Sequence, residues 1–163
     1  VSAETGWIQI ANYNTPGQVI ISGDEAGIER AIALAKEAGA RKAVTLPVSI
    51  AAHSRLMEGA NAAFKTAVER VTLRPPAIPV IANITAEPLT TPEAIRAEMV
   101  GQLTASVQWT RTIQHMIAQG VTTFIEIGPK DVLTRMMKRI DRRVAARSVE
   151  DVAGVQKLLE EAL

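Results

Sequence analysis

No cysteine occurs in these 163 residues, which excludes disulfides, thiol nucleophiles and cysteine metal sites and fits a reducing cytoplasm. Aromatic residues are nearly as scarce, at 3%, too few to build the stacking platforms on which proteins hold single-stranded nucleic acid. An excess of one charge is also missing: 18 basic and 17 acidic side chains leave +1, so there is no basic footprint for nucleic acid. No apolar run reaches the roughly 18 residues of a membrane span. The opening Val1-Ser2-Ala3-Glu4-Thr5-Gly6 is not a charged segment leading into an apolar one, so nothing addresses the chain for export. Finally, no serine stands in a Gly-x-Ser-x-Gly turn, the strained elbow that exposes a nucleophilic hydroxyl. What remains, 47% hydrophobic and 21% charged residues, describes an ordinary globular chain large enough for one sizeable core.

Along the chain, strand-like and helix-like patterns alternate, which points to an α/β fold. Trp7 to Tyr13 and Gln18 to Ser22 read as two strands around the turn cluster Asn14-Thr15-Pro16-Gly17, a hairpin pattern. Asp24 is a fitting N-cap for a helix whose apolar positions run Ile28, Ala31, Ile32, Ala35 and Ala38, with Gly39 as its stop. Arg41 to Val48 reads as a strand. Leu56, Ala60, Ala63, Phe64, Ala67, Val68 and Val71 share one helical face, and Pro75-Pro76 is the expected end of that helix. A short strand over Ile78 to Ile84, a helix opened by Pro92 and another from Trp109 to Gln119 closed by Gly120 follow. Thr122 to Ile127 is strand-like, Asp131 to Ile140 helical, Arg143 to Val149 a last strand and Asp151 to Leu163 a closing helix. There is no internal repeat, no low-complexity linker and no domain boundary visible after His53.

The chemistry concentrates at Pro47-Val48-Ser49-Ile50-Ala51-Ala52-His53-Ser54-Arg55-Leu56-Met57, where a strand-like run delivers one histidine at the threshold of a helix. A general base belongs in such a place, although a lone histidine at a strand-helix junction is more often structural or simply exposed. The other histidine, His115, has no ligand partner three or four residues away, so a metal site is not expected. Lys138, Arg139, Arg142, Arg143 and Arg147 form a basic cluster that could meet an acidic protein, but Asp141 and the acidic tail favour a solvated face.

Five ordered motifs carry a family resemblance. They are Ala11-Asn12-Tyr13-Asn14-Thr15-Pro16-Gly17-Gln18-Val19-Ile20-Ile21-Ser22-Gly23, then Leu46-Pro47-Val48-Ser49 through His53-Ser54-Arg55-Leu56-Met57, Pro79-Val80-Ile81-Ala82-Asn83, Gln102-Leu103 before Val107-Gln108-Trp109-Thr110, and Glu126-Ile127-Gly128-Pro129 with Val132-Leu133. Together they resemble the malonyl-CoA:acyl carrier protein transacylases, the acyltransferases of fatty-acid and polyketide synthesis, over the C-terminal half or so of that family.

The resemblance implies ping-pong chemistry, in which a serine attacks malonyl-CoA and passes malonyl to the phosphopantetheine thiol of acyl carrier protein. No bound cofactor is implied. His53 matches the histidine that activates the serine, and Gln102 the residue whose main-chain carbonyl orients the imidazole. Asn14, Gln18 and Ala52 match positions at the acyl pocket. The serine elbow, the arginine for the malonyl carboxylate and most oxyanion-hole donors belong to the N-terminal half, which is the expected partner beside acyl carrier protein. The implied architecture is part of a ferredoxin-like small subdomain over residues 1–50, begun after its first strand and helix, and C-terminal segments of an α/β-hydrolase-like subdomain over 51–163. Two departures stand out. Many relatives have Gly-Pro-Gly and a basic residue where this chain has Gly128-Pro129-Lys130-Asp131, and Ala52 replaces the phenylalanine frequent in malonyl-specific polyketide relatives, so Ala52 permits malonyl without demanding it. The competing expectation is a noncatalytic α/β interaction module related to these enzymes.

Overall fold

The computed structural model describes residues 6–162, and the last residue of the expected closing helix, Leu163, lies outside them. The fold is α/β, with two compact units that meet in sequence between Trp109 and Thr110. That boundary falls inside a helix, which is why no linker composition marks it.

The first unit opens on the antiparallel hairpin of β1 (Ile8–Thr15) and β2 (Gln18–Gly23). The four-residue turn expected there narrows to Pro16-Gly17, because Thr15 is already paired with Gln18. Proline presets the first corner and Gly17, at φ +77°, takes the left-handed second one. Register shifts between Ile10 and Asn12 and between Tyr13 and Thr15 bend β1, as bulges do. A third segment runs parallel beside it: Val107 N–H donates to Ala11 O (2.8 Å) and Tyr13 N–H to Val107 O (2.9 Å).

Helix α1 (Glu25–Glu37) begins where Asp24 predicts. Asp24 Oδ1 accepts from Gly27 N–H (2.7 Å), and Oδ2 accepts from Trp7 N–H (2.7 Å), so one carboxylate caps the helix and anchors the start of the hairpin. The helix comes so close that a Cβ on Gly27 would stand 2.6 Å from the Trp7 carbonyl oxygen.

Three expectations fail here for physical reasons. Arg41 to Val48 forms no strand. Its Val48 N–H bonds locally to Leu46 O (2.8 Å), and Val44, Leu46 and Val48 are exposed; β-branched residues favour extended backbone, but a strand needs a partner to take its N–H and C=O groups. The helix after His53 starts with a 3-10 turn, Arg55–Met57, continues as α2 (Glu58–Glu69), and stops before Pro75-Pro76. Its end is fixed by Arg96, whose guanidinium donates to the Val68 and Val71 carbonyls. Of the apolar stripe on that helix Val68 is buried, while Leu56, Phe64 and Val71 are not. The strand expected over Ile78 to Ile84 shrinks to β3 (Val80–Ile81) against β4 (Pro88–Leu89), because Ala82 N–H bonds to Glu87 O (2.9 Å) and turns the chain back. Helix α3 (Pro92–Gly101) follows with proline in its first turn and Thr91 as N-cap.

The second unit contains most of α4 (Trp109–Ala118), then β5 (Thr123–Ile127), α5 (Val132–Ile140), β6 (Ala145–Val149) and α6 (Val152–Ala162). Strands β5 and β6 pair in parallel from Thr123 with Ala145 to Ile127 with Val149, and α5 is the crossover that a parallel pair requires. The Gly128-Pro129-Lys130 turn keeps a left-handed residue even without the second glycine: Lys130 has φ +72°.

Candidate active site

Residues 51–54 form a short loop between irregular backbone and the 3-10 turn, and all four of its main-chain carbonyls accept hydrogen bonds. Ser54 is fully buried; its Oγ donates to Ala51 O (2.7 Å) and accepts from Leu56 N–H (3.3 Å), closing the loop and capping the turn. Ser22 Oγ donates to Ala52 O (2.7 Å). Gln9 Nε2 donates to His53 O (3.1 Å) and to Thr104 O (2.8 Å). His53 itself has φ +58°, a left-handed conformation that histidine adopts more readily than most side chains but that still has to be held by its surroundings.

The half-buried imidazole faces the end of α3. Its Nδ1 lies 2.9 Å from the main-chain oxygen of Gln102, the C-cap residue of that helix. A carbonyl can only accept, so Nδ1 carries a hydrogen, and in the neutral ring that leaves the lone pair on Nε2. An oriented, neutral imidazole of this kind can act as a general base. Arg55 places its guanidinium 4.3 Å from the centre of the Trp7 ring, a cation-π contact that ties the residue two beyond His53 to the start of the hairpin.

The sites named from sequence divide into two places. His53, Gln102 and Ala52 come together, Ala52 half-buried and contributing its carbonyl to Ser22. Asn14 and Gln18 lie at the turn end of the hairpin, both half-buried. By strand rise they stand about 17 Å and about 14 Å along β1 and β2 from Gln9 and Ser22. Gln9 and Ser22 went unnoticed, because a glutamine or serine within a strand carries no local signature. Ser54 could have been found as a helix-start signal.

Among the described residues no group of three or more His, Asp or Glu side chains could hold a metal ion, and no helix is long and apolar enough to cross a membrane. In the basic cluster Arg143 pairs with Asp141 (2.6 Å) and Arg147 with Glu161. Hydrogen bonds from Arg143 hold the Asp141 carboxyl down to about 2. Both pairs lie at the surface, where such ion pairs contribute little to stability.

The described site is thus one imidazole fixed against a main-chain carbonyl within an α/β chain. The family model for the acyl transferase domain matches residues 5–161, and the chain belongs to that family. Within it, the chain is similar to malonyl CoA-acyl carrier protein transacylases. It is 38% identical to that of Bacillus subtilis over 160 residues, covering 98% of this chain and 50% of the relative. It is 40% identical to that of Escherichia coli over 161 residues, covering 98% and 52%. Among solved structures it superposes on an acyl-carrier-protein S-malonyltransferase from Burkholderia pseudomallei with a TM-score of 0.91 at 39% identity, covering 97% of this chain and 52% of that one. A structure of a type II PKS acyl-carrier protein in complex with its malonyl-transacylase matches with a TM-score of 0.93 at 37% identity, covering 98% and 52%. The chain thus spans about half the length of the relatives it matches.

Proposed function

We propose that this chain supplies the general base of an acyltransferase that carries malonyl from malonyl-CoA to acyl carrier protein through a serine ester, the serine lying outside these 163 residues. His53 Nε2 takes the proton from the serine Oγ as that oxygen bonds to the thioester carbonyl carbon. The carbon-sulfur bond then breaks, and the proton passes to the departing CoA sulfur. In the second half-reaction the phosphopantetheine thiol loses its proton to His53 and attacks the ester carbonyl carbon; the bond from that carbon to the serine Oγ breaks, and the proton passes from His53 to the oxygen, which returns the serine hydroxyl. The main-chain oxygen of Gln102 holds the imidazole in the useful tautomer throughout, the part that a carboxylate plays in other triads.

The observation that carries this reading is the 2.9 Å bond from His53 Nδ1 to Gln102 O, and the names of the relatives supply the substrate class. Ala52 would border the acyl group beside His53, and Asn14 and Gln18, which the resemblance also gives to the acyl pocket, would stand toward its far side at the turn end of the hairpin. Residues 1–50 would correspond to part of a ferredoxin-like subdomain and 51–163 to part of an α/β-hydrolase-like one, working with the half that bears the serine. The second reading, a noncatalytic interaction module, is favoured by one fact only: no serine elbow occurs in the sequence.

Intact-mass spectrometry after incubation with malonyl-CoA separates the cases. The chain alone should take up no malonyl, while the complete acyltransferase should gain one malonyl on its serine. In the complete enzyme His53→Ala should slow acylation by about 10²-fold or more, and Gln102→Ala far less, because the substitution keeps the carbonyl. A stoichiometric malonyl adduct on a serine of this chain, or full acylation by the His53→Ala enzyme, would overturn the proposal.

A further inference from the structure

We infer that Gln9 and Ser22 form a paired clamp that positions His53, which makes them positioning residues for the proton transfer; the inference rests on the reading of His53 as the general base. The two residues are directly opposite each other in the β1–β2 register, so their side chains project from the same face of the hairpin. From that face they reach consecutive carbonyls of the histidine loop, Ser22 Oγ to Ala52 O at 2.7 Å and Gln9 Nε2 to His53 O at 3.1 Å.

The glutamine does more than hold the loop. Its amide has two N–H donors, and the second goes to Thr104 O at 2.8 Å, two residues beyond the carbonyl that receives His53 Nδ1. One side chain therefore bridges the peptide that carries the imidazole and the segment, two residues on, that follows its orienting acceptor, and so ties the two segments together. The remainder of that acceptor segment is fixed to the same strand, through Ser106 Oγ to Ile10 O and Val107 N–H to Ala11 O. The left-handed backbone of His53 gives the clamp a reason. A residue in that conformation relaxes toward commoner φ values unless its flanking peptides are held, and relaxation would swing the ring away from Gln102.

The decisive variants remove the donors and leave the shape. In the complete acyltransferase, Gln9→Met should lower the rate constant for serine acylation about tenfold, the scale of a small misplacement of a reacting group, with KM for malonyl-CoA within about twofold. Nitrogen NMR of the imidazole should show loss of the pure Nδ1–H tautomer. Ser22→Ala should act in the same direction but less, and Ser22→Thr should restore the hydroxyl and the rate. If Gln9→Met does not fold, the Ser22 pair reads the same quantities. In a His53→Ala background Gln9→Met should have no further effect on residual acylation. A full rate and an unchanged tautomer in Gln9→Met and Ser22→Ala would overturn the clamp while leaving the base reading intact. A further loss in the His53→Ala background would also overturn it, because the clamp would then act on something other than the imidazole. Should His53→Ala itself acylate normally, the underlying reading is what fails.

Discussion

Glu98 lies on α3, buried, and its Oε1 accepts from two main-chain N–H groups, Asn83 at 2.7 Å and Ile84 at 3.2 Å. Asn83 in turn offers its carbonyl to Gln108 N–H (2.7 Å), so one carboxylate steadies the β3–β4 turn and a peptide near the segment that orients His53. Glu98→Ala leaves two donors without their partner and should destabilise the fold by about 2 kcal/mol or more, whereas Glu98→Gln keeps the acceptor and should lose less than about 1 kcal/mol. Urea unfolding measures both, and equal losses would mean that the two bonds carry no weight. Lys130 poses the opposite case. At φ +72° it pays the left-handed penalty of about 1–2 kcal/mol, its side chain is exposed, and glycine would take the same turn without strain. After allowance for the greater freedom of glycine in the unfolded chain, Lys130→Gly should stabilise by about 0.5–1 kcal/mol. Ala86 has nearly the same φ, +61°, but its methyl is buried, so Ala86→Gly should gain much less.

At the scale of elements, the crossover between β5 and β6 depends on a cap supplied from a distance. Asp131 stands at the N-cap of α5 but makes no capping bond; its carboxylate pairs with Arg135 instead (2.8 Å). Glu126 on β5 takes the role, accepting from Leu133 N–H (3.0 Å) and Thr134 N–H (2.7 Å), where the helix also presents its positive end. Desolvation pushes the Glu126 carboxyl up, but the bonds from Thr134 and Leu133 outweigh it and leave the group below its ordinary value of 4.5. A carboxyl depressed by folding contributes stability above its unfolded pKa and loses that contribution as the pH falls through the lower folded one. Glu126→Gln should therefore destabilise at neutral pH and leave a shallower fall in stability below about pH 4.5, the ordinary value. Chemical unfolding repeated from pH 7 to 3 tests this; parallel curves for the two proteins would refute it. Replacing Gly27 by alanine should also destabilise, by about 1–3 kcal/mol, because its Cβ would press on the Trp7 backbone.

For the whole molecule, the balance between buried and exposed apolar residues governs behaviour. Among the described residues the buried apolar side chains are Ala11, Val68, Ala82, Ala86, Ile113, Met137 and Val149, three of them alanine. Ile78 and Ile127, by contrast, are 78% and 77% exposed, and Ile50, Val48 and Val80 are also open. At about 25 cal/mol per Å², a few hundred Å² of uncovered apolar surface forgoes several kcal/mol, comparable with the whole stability of a typical domain. Strand β5 shows the pattern locally: Ile125 and Ile127 point outward while Phe124 and Glu126 are half-buried. The isolated chain is therefore expected to associate, with itself or with a covering partner, and to melt at a temperature that rises with concentration. Sedimentation at low micromolar concentration combined with thermal melts measures this. A monomer with a sharp, concentration-independent transition would show a self-sufficient domain and favour the noncatalytic module.

Sequence alone determined the features whose causes lie within a few residues: a hairpin turn within Asn14 to Gly17, the Asp24 cap, proline opening α3 and Gly120 after α4. Each is a local choice of backbone, settled by a fixed φ, a missing Cβ or a side chain that reaches its own main chain. The position of His53 before a helix start was legible locally, but its reading as a base and its link to Gln102, 49 residues away, came from the resemblance. Tertiary structure decided whatever needs a distant partner. Arg41 to Val48 has strand composition but no ladder; α2 ends where Arg96 takes its carbonyls; Gln9 matters because the fold sets it against His53 and Thr104, 44 and 95 residues away. Hydrogen bonds across such separations follow from which peptides the fold brings within 3 Å, and no run of neighbouring residues encodes that by itself.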